Sequence, residues 1–530
     1  MLVKNSNSKS AFRLVGLNTL SQYVATVITM AVTFFLTPFL INSLSKELLG
    51  LQTLAFQALA FVGLFNSSMG ISYGRAATAS FSRGEYAEMN STIGAGFWLS
   101  SLATLLFVLG TLMLAAFPQQ LFGVPPAIVW DARWVILITG LSSAALILTG
   151  PWACPLYLAQ QTYWNSVASV VSTAGSAAVV VVAFTIGTPN ILVWVALANG
   201  FRLAVAICLL IPMARLAIPQ FQFSFSLTNI VARCRPLLNL GVWSFVGGLG
   251  YLLYYATDSI LISNLNELGT AQIIDYNLGQ RWDPLIRMVI LGFAGSLTPL
   301  LTTMVARRET ARLQRTVVDS TRYAMALGLF PCIILFVFAQ PFIAAWVGER
   351  FVSSSVPVMH LVLLGTIASI PSIVGYEALI ATGKIGAAVV ATLVGGVLNV
   401  LLGVLFVKVF HWGLWGIALA VFLTMAVRNT LYTPILVIKA CQLRAKEYYA
   451  QGILKPLLGA IPLLAAALLL QEFLAPAGLV AVFSYFGICA AIYFPCVWFI
   501  TLDQRDKSFA RESGFKLLQK LRPAIAPVAS

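Results

Sequence analysis

Apolar runs of about twenty residues or more recur from about residue 15 to residue 501, separated by short polar segments, and no other feature constrains the chain as tightly. A helix that crosses a bilayer needs about 20 mostly apolar residues. Lipid offers the backbone no hydrogen-bonding partners, so each run must satisfy its own N–H and C=O groups. Matching the runs to helix length predicts spans at roughly 15–41, 49–73, 92–116, 133–157, 164–187, 191–214, 237–264, 273–303, 320–344, 356–381, 386–409, 413–438, 453–473 and 478–501. The expected fold class is an all-α polytopic membrane protein with about fourteen transmembrane helices. Of the 530 residues 59% are hydrophobic and 9% charged, which leaves no stretch for a separate soluble domain. Soluble domains carry roughly 25% charged residues.

Lys and Arg positions test the span count, because a miscounted span would scramble the sides on which they fall. With the N terminus inside, only Lys46, Arg133, Arg350 and Lys408 fall on outer segments. Arg202, Arg281, Arg287 and Arg428 lie within spans, and every other Lys or Arg falls on an inner segment. The expectation is a multi-pass protein of the cell inner (plasma) membrane with both termini cytoplasmic. The first apolar run follows Lys4, Lys9 and Arg13 but continues to about Leu40 without a small-residue cleavage pattern, so it reads as a retained helix.

The net charge of +15 does not point to nucleic acid, because the basic residues are scattered through short loops and form no single patch. The seven cysteines, at 154, 208, 234, 332, 441, 489 and 496, have neither CxxC spacing nor paired loop positions and read as packing residues. His360 and His411 lack partners at ligand spacing, so no metal or other cofactor is expected. No Ser-His-Asp set, GxGxxG after a strand or P-loop Lys is present, which argues against an enzyme and against ATP-driven transport by this chain alone.

Two longer inner segments divide the chain into six, six and two spans. The expected organisation is an N-terminal lobe over 1–215, a cytoplasmic linker over 216–236, a C-terminal lobe over 237–441, additional spans over 442–501 and a basic cytoplasmic tail over 502–530. Ile41-Asn-Ser-Leu-Ser-Lys-Glu-Leu-Leu-Gly50 and Ile262-Ser-Asn-Leu-Asn-Glu-Leu-Gly269 occupy matching places in the two sets of six, as a diverged parallel repeat would. In the tail, residues 507–521 read as a short basic amphipathic helix suited to anionic membrane lipids.

A charge near the bilayer centre costs roughly 3 kcal/mol on insertion scales, so charges within spans face partners or a cavity. Here they are Arg202, Asp258, Arg281, Asp283, Arg287, Glu377 and Arg428, with Asp275 more peripheral. Asp283 and Arg287 are four apart on one helix face and able to pair, and Pro284 between them interrupts the hydrogen-bond ladder. Tyr251, Tyr254, Tyr255 and Trp282 add flat amphipathic rings, suited to sugar faces and equally to interfacial belts. One reading is a positive, water-filled vestibule built from Arg281, Arg287 and Arg428 that receives a phosphate-like anion, with Asp258, Asp283, Tyr254 and Tyr255 as further substrate-binding candidates. The other is that each arginine pairs with a carboxylate and locks helices together.

Phe35-Leu-Thr-Pro-Phe-Leu-Ile-Asn-Ser-Leu-Ser-Lys-Glu-Leu-Leu-Gly-Leu51, Met69-Gly-Ile-Ser-Tyr-Gly-Arg-Ala, Ser82-Arg-Gly-Glu-Tyr-Ala-Glu-Met-Asn90, Ala381-Thr-Gly-Lys384 and Gly413-Leu-Trp-Gly-Ile-Ala-Leu-Ala420 carry a resemblance over nearly the whole chain. In these segments the sequence resembles the multidrug/oligosaccharidyl-lipid/polysaccharide (MOP) exporter superfamily, and within it the Wzx-type polysaccharide-unit flippases. The resemblance implies two pseudo-symmetric six-helix lobes with alternating access, a cationic vestibule, and cargo carried on undecaprenyl pyrophosphate. Asn66 stands where many relatives carry Asp, and the first span has no acid, which departs from the cation-coupled drug-exporter branch.

The function expected is therefore a flippase for a lipid-linked oligosaccharide in surface polysaccharide (for example lipopolysaccharide) biosynthesis. Its expected partners are the lipid-linked oligosaccharide, membrane lipids, H+ or Na+ if transport is ion-coupled, and a polysaccharide polymerase and glycosyltransferases. The alternatives are a cation-coupled exporter of small amphipathic compounds and a membrane glycosyltransferase or polymerase. The last typically needs a large acidic outer loop, whereas the longest outer loop here is about Phe117 to Ala132.

Overall fold

The computed structural model describes residues 8–222, 230–265, 268–295, 297–473 and 478–508. Among them every regular element is helical. Thirteen helices are long and apolar enough to cross a membrane, or fourteen if one bent pair counts as a single span, which matches the number expected. They are α1 (Gly16–Ser43), α2 (Lys46–Ser82), α3 (Tyr86–Ala116), α4 (Pro126–Leu158), α5 (Tyr163–Ile186), α6 (Ile191–Ala217), α8 (Thr270–Ala306), α9 (Thr310–Val337), α10 (Glu349–Ala381), α11 (Gly386–Lys408), α12 (Gly413–Cys441), α13 (Ala445–Phe473) and α14 (Leu479–Thr501). The bent pair, α7, is Phe245–Tyr255 followed by Thr257–Asn264 at 44°.

Local chemistry sets the ends and breaks of these helices. Ser45 caps α2 by accepting from the Leu48 N–H at 3.4 Å, and Asn190 caps α6 by accepting from Leu192 at 2.8 Å. Gly383, at φ +71°, makes the turn between α10 and α11 in the left-handed region that a side chain disfavours. Proline lacks the N–H that the carbonyl four residues earlier would accept. Accordingly π-helical turns stand just ahead of Pro212, Pro434 and Pro456, at Ala206–Leu210, Arg428–Tyr432 and Tyr448–Leu454. In α8 the regular helix stops at Gln280, the residue four before Pro284, and restarts at Trp282. An interruption is present, but it lies at Arg281, ahead of Asp283 and not between Asp283 and Arg287, because the carbonyl that loses its donor is that of Gln280.

Two compact units emerge: residues 1–281 with 386–424, and residues 282–385 with 425–530. This grouping by contact and the chain-order grouping into six, six and two spans are different partitions of the same helices. In the first unit α2 packs on α3, α4, α7 and the first part of α8, and α11 packs on α7. The two hairpins noted as a repeat meet there: a Cβ on Gly50 would run into the backbone carbonyl of Thr270, and Lys46 Nζ lies 3.0 Å from Asp275. Asn264 donates to the Leu121 carbonyl at 2.9 Å at the same end. In the second unit α10 is the central helix, touching α8, α9 and α12. The predicted tail helix over 507–521 lies outside the described residues from 509 onward.

Candidate functional site

Within the first unit the bend of α7 falls at Ala256, so Asp258 stands in the first turn of the helix that restarts there. A carboxylate is favoured at that position, where backbone N–H groups are unsatisfied. Asp258 is buried, and its Oδ2 accepts from the Tyr276 hydroxyl at 2.7 Å. Its Oδ1 has no hydrogen-bond partner among the described residues, although the Asn399 and Gln280 amides stand beside it. Tyr254 is buried with its hydroxyl end over Gly395, in space a side chain there would fill. Tyr255 is half-buried, its ring centroid 4.6 Å from that of Tyr251. Asp275 is committed to Lys46. Arg281, half-buried at the break in α8, has no ion pair among the described residues.

In the second unit Asp283 is buried, and its Oδ1 lies 2.6 Å from Arg287 Nε, the pairing that their spacing allows. The Thr366 hydroxyl donates to the same oxygen, while Oδ2 has no partner among the described residues. Glu377 accepts from the Thr298 hydroxyl. Arg428 begins the π-helical turn of α12, and its Nε donates to Asn429 Oδ1 at 3.2 Å. Asn429 is pinned to α10: its Nδ2 donates to Ser369 Oγ at 2.7 Å, and Ser372 Oγ donates to its carbonyl at 3.0 Å. Pro434 leaves the Thr430 carbonyl without its helical donor, and the Tyr449 hydroxyl supplies one at 2.9 Å. Those three side-chain bonds anchor the turn that contains Arg428. Trp282 packs its ring edge-on against Phe342 and Trp346, with centroids 5.0 and 5.2 Å away.

The site residues named from sequence thus divide into Arg281, Asp258, Tyr254 and Tyr255 in the first unit and Asp283, Arg287 and Arg428 in the second. Each carboxylate within the spans has a partner: Asp258 with Tyr276, Asp275 with Lys46, Asp283 with Arg287 and Glu377 with Thr298. Only one of these partners is an arginine of the set.

Sequence reasoning missed two features. Arg322, counted as a topology signal, is buried and meets Asp319 at 3.0 Å, Asp503 at 2.7 Å and Asp506 at 2.7 Å, tying α9 to the segment after α14. The Asp-x-x-Arg spacing of Asp319 and Arg322 is the local signal that could have exposed part of it. Arg202 borders a cavity of about 630 Å³ whose lining contains no carboxylate. No group of three or more His, Cys, Asp or Glu residues able to hold a metal ion occurs among the described residues.

Residues 244–405, from α7 to α11, match the MatE family. The chain is 25% identical over 448 residues to the uncharacterized membrane protein EpsK of Bacillus subtilis (strain 168), covering 84% of this chain and 87% of that protein. In fold it is similar to the lipid II flippase MurJ in an inward closed conformation, with a TM-score of 0.63 and 13% identity over 90% of this chain and 99% of MurJ. It is also similar to a multidrug resistance MATE family transporter of the MOP superfamily in an inward-facing conformation, with a TM-score of 0.66 and 12% identity over 79% of this chain and 99% of that one. The fold is similar to that of these transporters. The chain is a multi-pass membrane protein.

Proposed function

We propose that this protein is a flippase that carries a lipid-linked oligosaccharide, on an undecaprenyl pyrophosphate carrier, from the inner to the outer leaflet of the plasma membrane for surface polysaccharide assembly. In this reading the termini are cytoplasmic, two six-helix lobes alternate in access, and Arg281, Arg287 and Arg428 give the cargo path a positive character. One observation carries the reading: among the described residues Arg281 sits at the break inside α8 without an ion pair, while the carboxylates of the spans are held by other groups. Guanidinium groups bind phosphate oxygens in bidentate fashion, so an arginine kept from carboxylates in a wet path suits a pyrophosphate. An inside-negative potential assists outward movement of an anion by about 2.3 kcal/mol per charge per 100 mV, so no ATP site is required. The fold likeness to the lipid II flippase MurJ supports the same class of cargo.

Arg281→Gln and Arg428→Gln, compared with wild type at equal protein level, are expected to reduce polysaccharide export by at least about tenfold, as loss of a charged hydrogen bond implies. Unchanged export in both variants sinks the assignment. A second reading, a cation-coupled exporter of small amphipathic compounds, is favoured by Asp258, a buried carboxylate at a helix bend with one oxygen available to a proton or Na+. It is supported too by the fold likeness to the MATE transporter. Resistance to cationic drugs on expression, abolished by Asp258→Asn, would select this reading over the first.

A further inference from the structure

Two cavities lie wholly within the first unit and share one lining residue, Asn165. The first, of about 630 Å³, is bordered by α2, α4, α5 and α6; the second, of about 600 Å³, is bordered by α2, α4 and Asn165 of α5. Each presents one exposed arginine, Arg202 in the first and Arg75 in the second. Neither lining contains Asp or Glu, and neither arginine has an ion pair among the described residues. Arg202 is about 16 Å along α6 from its Ile191 end, near the middle of the span. An unpaired guanidinium at that depth is stable only against water or an anion.

The rest of the larger lining mixes hydroxyls and amides with apolar side chains such as Phe56, Leu146 and Val195. Thr139 is 2% exposed, and its hydroxyl has no hydrogen-bond partner among the described residues. The same holds for Gln52 Oε1, which is likewise buried. Buried polar atoms left unsatisfied carry a penalty that a ligand or ordered water removes. Trp194 borders the same space, and its flat ring suits the apolar face of a sugar. Ser172 and Asn199 extend the polar wall. The second cavity adds Tyr73 and Tyr157 beside glycines at 70, 74 and 150.

We infer that the first unit holds a binding track for a phosphate ester bearing hydroxylated substituents, with Arg75 toward the Ser82 end of α2 and Arg202 at mid-depth. The guanidinium groups take the phosphate, Thr139 and Gln52 take hydroxyls, and Trp194 takes a ring face. A cation is excluded, because both charged groups on the lining are positive. Phosphate esters of this kind reach a membrane cavity from two sources, a saccharide phosphate or a phospholipid headgroup. The saccharide source rests on the flippase reading above; the site itself does not.

The test uses the full chain in phosphatidylcholine nanodiscs with radiolabelled glucose 1-phosphate in equilibrium dialysis. Arg202→Gln is expected to weaken binding at least tenfold and Thr139→Val severalfold, while Arg202→Lys retains most of it, separating lost charge from misfolding. Arg202→Gln is read against wild type at a residue outside the cargo path proposed above, so the outcome of the export assay for Arg281→Gln and Arg428→Gln does not bear on the track. Repeating the titration in phosphatidylglycerol nanodiscs assigns the source. Abolished binding identifies the headgroup as occupant, and retained binding identifies the saccharide phosphate; either upholds the site. Equal binding by wild type and Arg202→Gln, or none by wild type in either lipid, overturns it.

Discussion

Removing Arg287 should harm the fold more than removing Arg287 and Asp283 together. Asp283 is buried, 2.6 Å from Arg287 Nε, and its Oδ2 has no other partner among the described residues. Coulomb attraction at that separation is about 6 kcal/mol at an effective dielectric of 20, before desolvation and side-chain ordering are subtracted. Arg287→Ala leaves a buried carboxylate whose remaining donor is Thr366, and losses of this kind run about 3–5 kcal/mol. Asp283→Leu with Arg287→Ala removes both charges, and apolar replacement of a buried pair is often neutral or stabilising. Reversible unfolding by sodium dodecyl sulfate in mixed micelles, run as a double-mutant cycle, measures each difference. The expected coupling is at least about 2 kcal/mol, with the double variant more stable than Arg287→Ala. Additive single effects within about 0.5 kcal/mol would show that the pair is not an interacting unit and refute the reasoning.

Lys46→Met should destabilise the protein by about 1–3 kcal/mol, since it removes the ion pair of Asp275, whose side chain is 10% exposed, and the exchange Lys46→Asp with Asp275→Lys should recover part of it in the same unfolding assay. The Asp503 carboxyl supplies a pH test: burial alone raises it, but the hydrogen bond from Lys455 and the nearby Arg322 outweigh that and hold it below its ordinary value. A depressed folded value gives stability that is present above the unfolded value of about 4 and lost as pH falls through the folded one. The melting gap between wild type and Asp503→Asn should therefore be constant from about pH 8 to pH 5 and shrink below about pH 4. A gap that widens in acid contradicts the assignment.

Spans and their number were legible because length and apolarity are properties of consecutive residues. The same holds for Asp283 and Arg287, which a helix brings together at i and i+4 wherever the rest of the chain goes. Pro284 announced a break in α8 for the same local reason, and the structure places it at Arg281, ahead of the Asp283–Arg287 stretch. The bend of α7 was harder to see: Thr257 and Asp258 follow two tyrosines in a run apolar enough to read as one helix, and only their cap-forming chemistry hints at a restart.

Taken alone, the sequence determined an all-helical membrane protein, the number of its spans, and which residues are too polar to face lipid. Apart from Asp283 and Arg287, it could not say which partner each charge takes, because the other partners are distant in sequence. Asp275 meets Lys46 from 229 residues away, and Arg322 meets Asp503 from 181. Hydropathy and periodicity are summed over neighbours along the chain, whereas ion pairs and cavities are made by helix faces that only packing brings together. Tertiary structure therefore decided that Asp258, Asp275 and Glu377 are held by Tyr276, Lys46 and Thr298, and that Arg202, seen from sequence as one isolated charge, borders a cavity without a carboxylate.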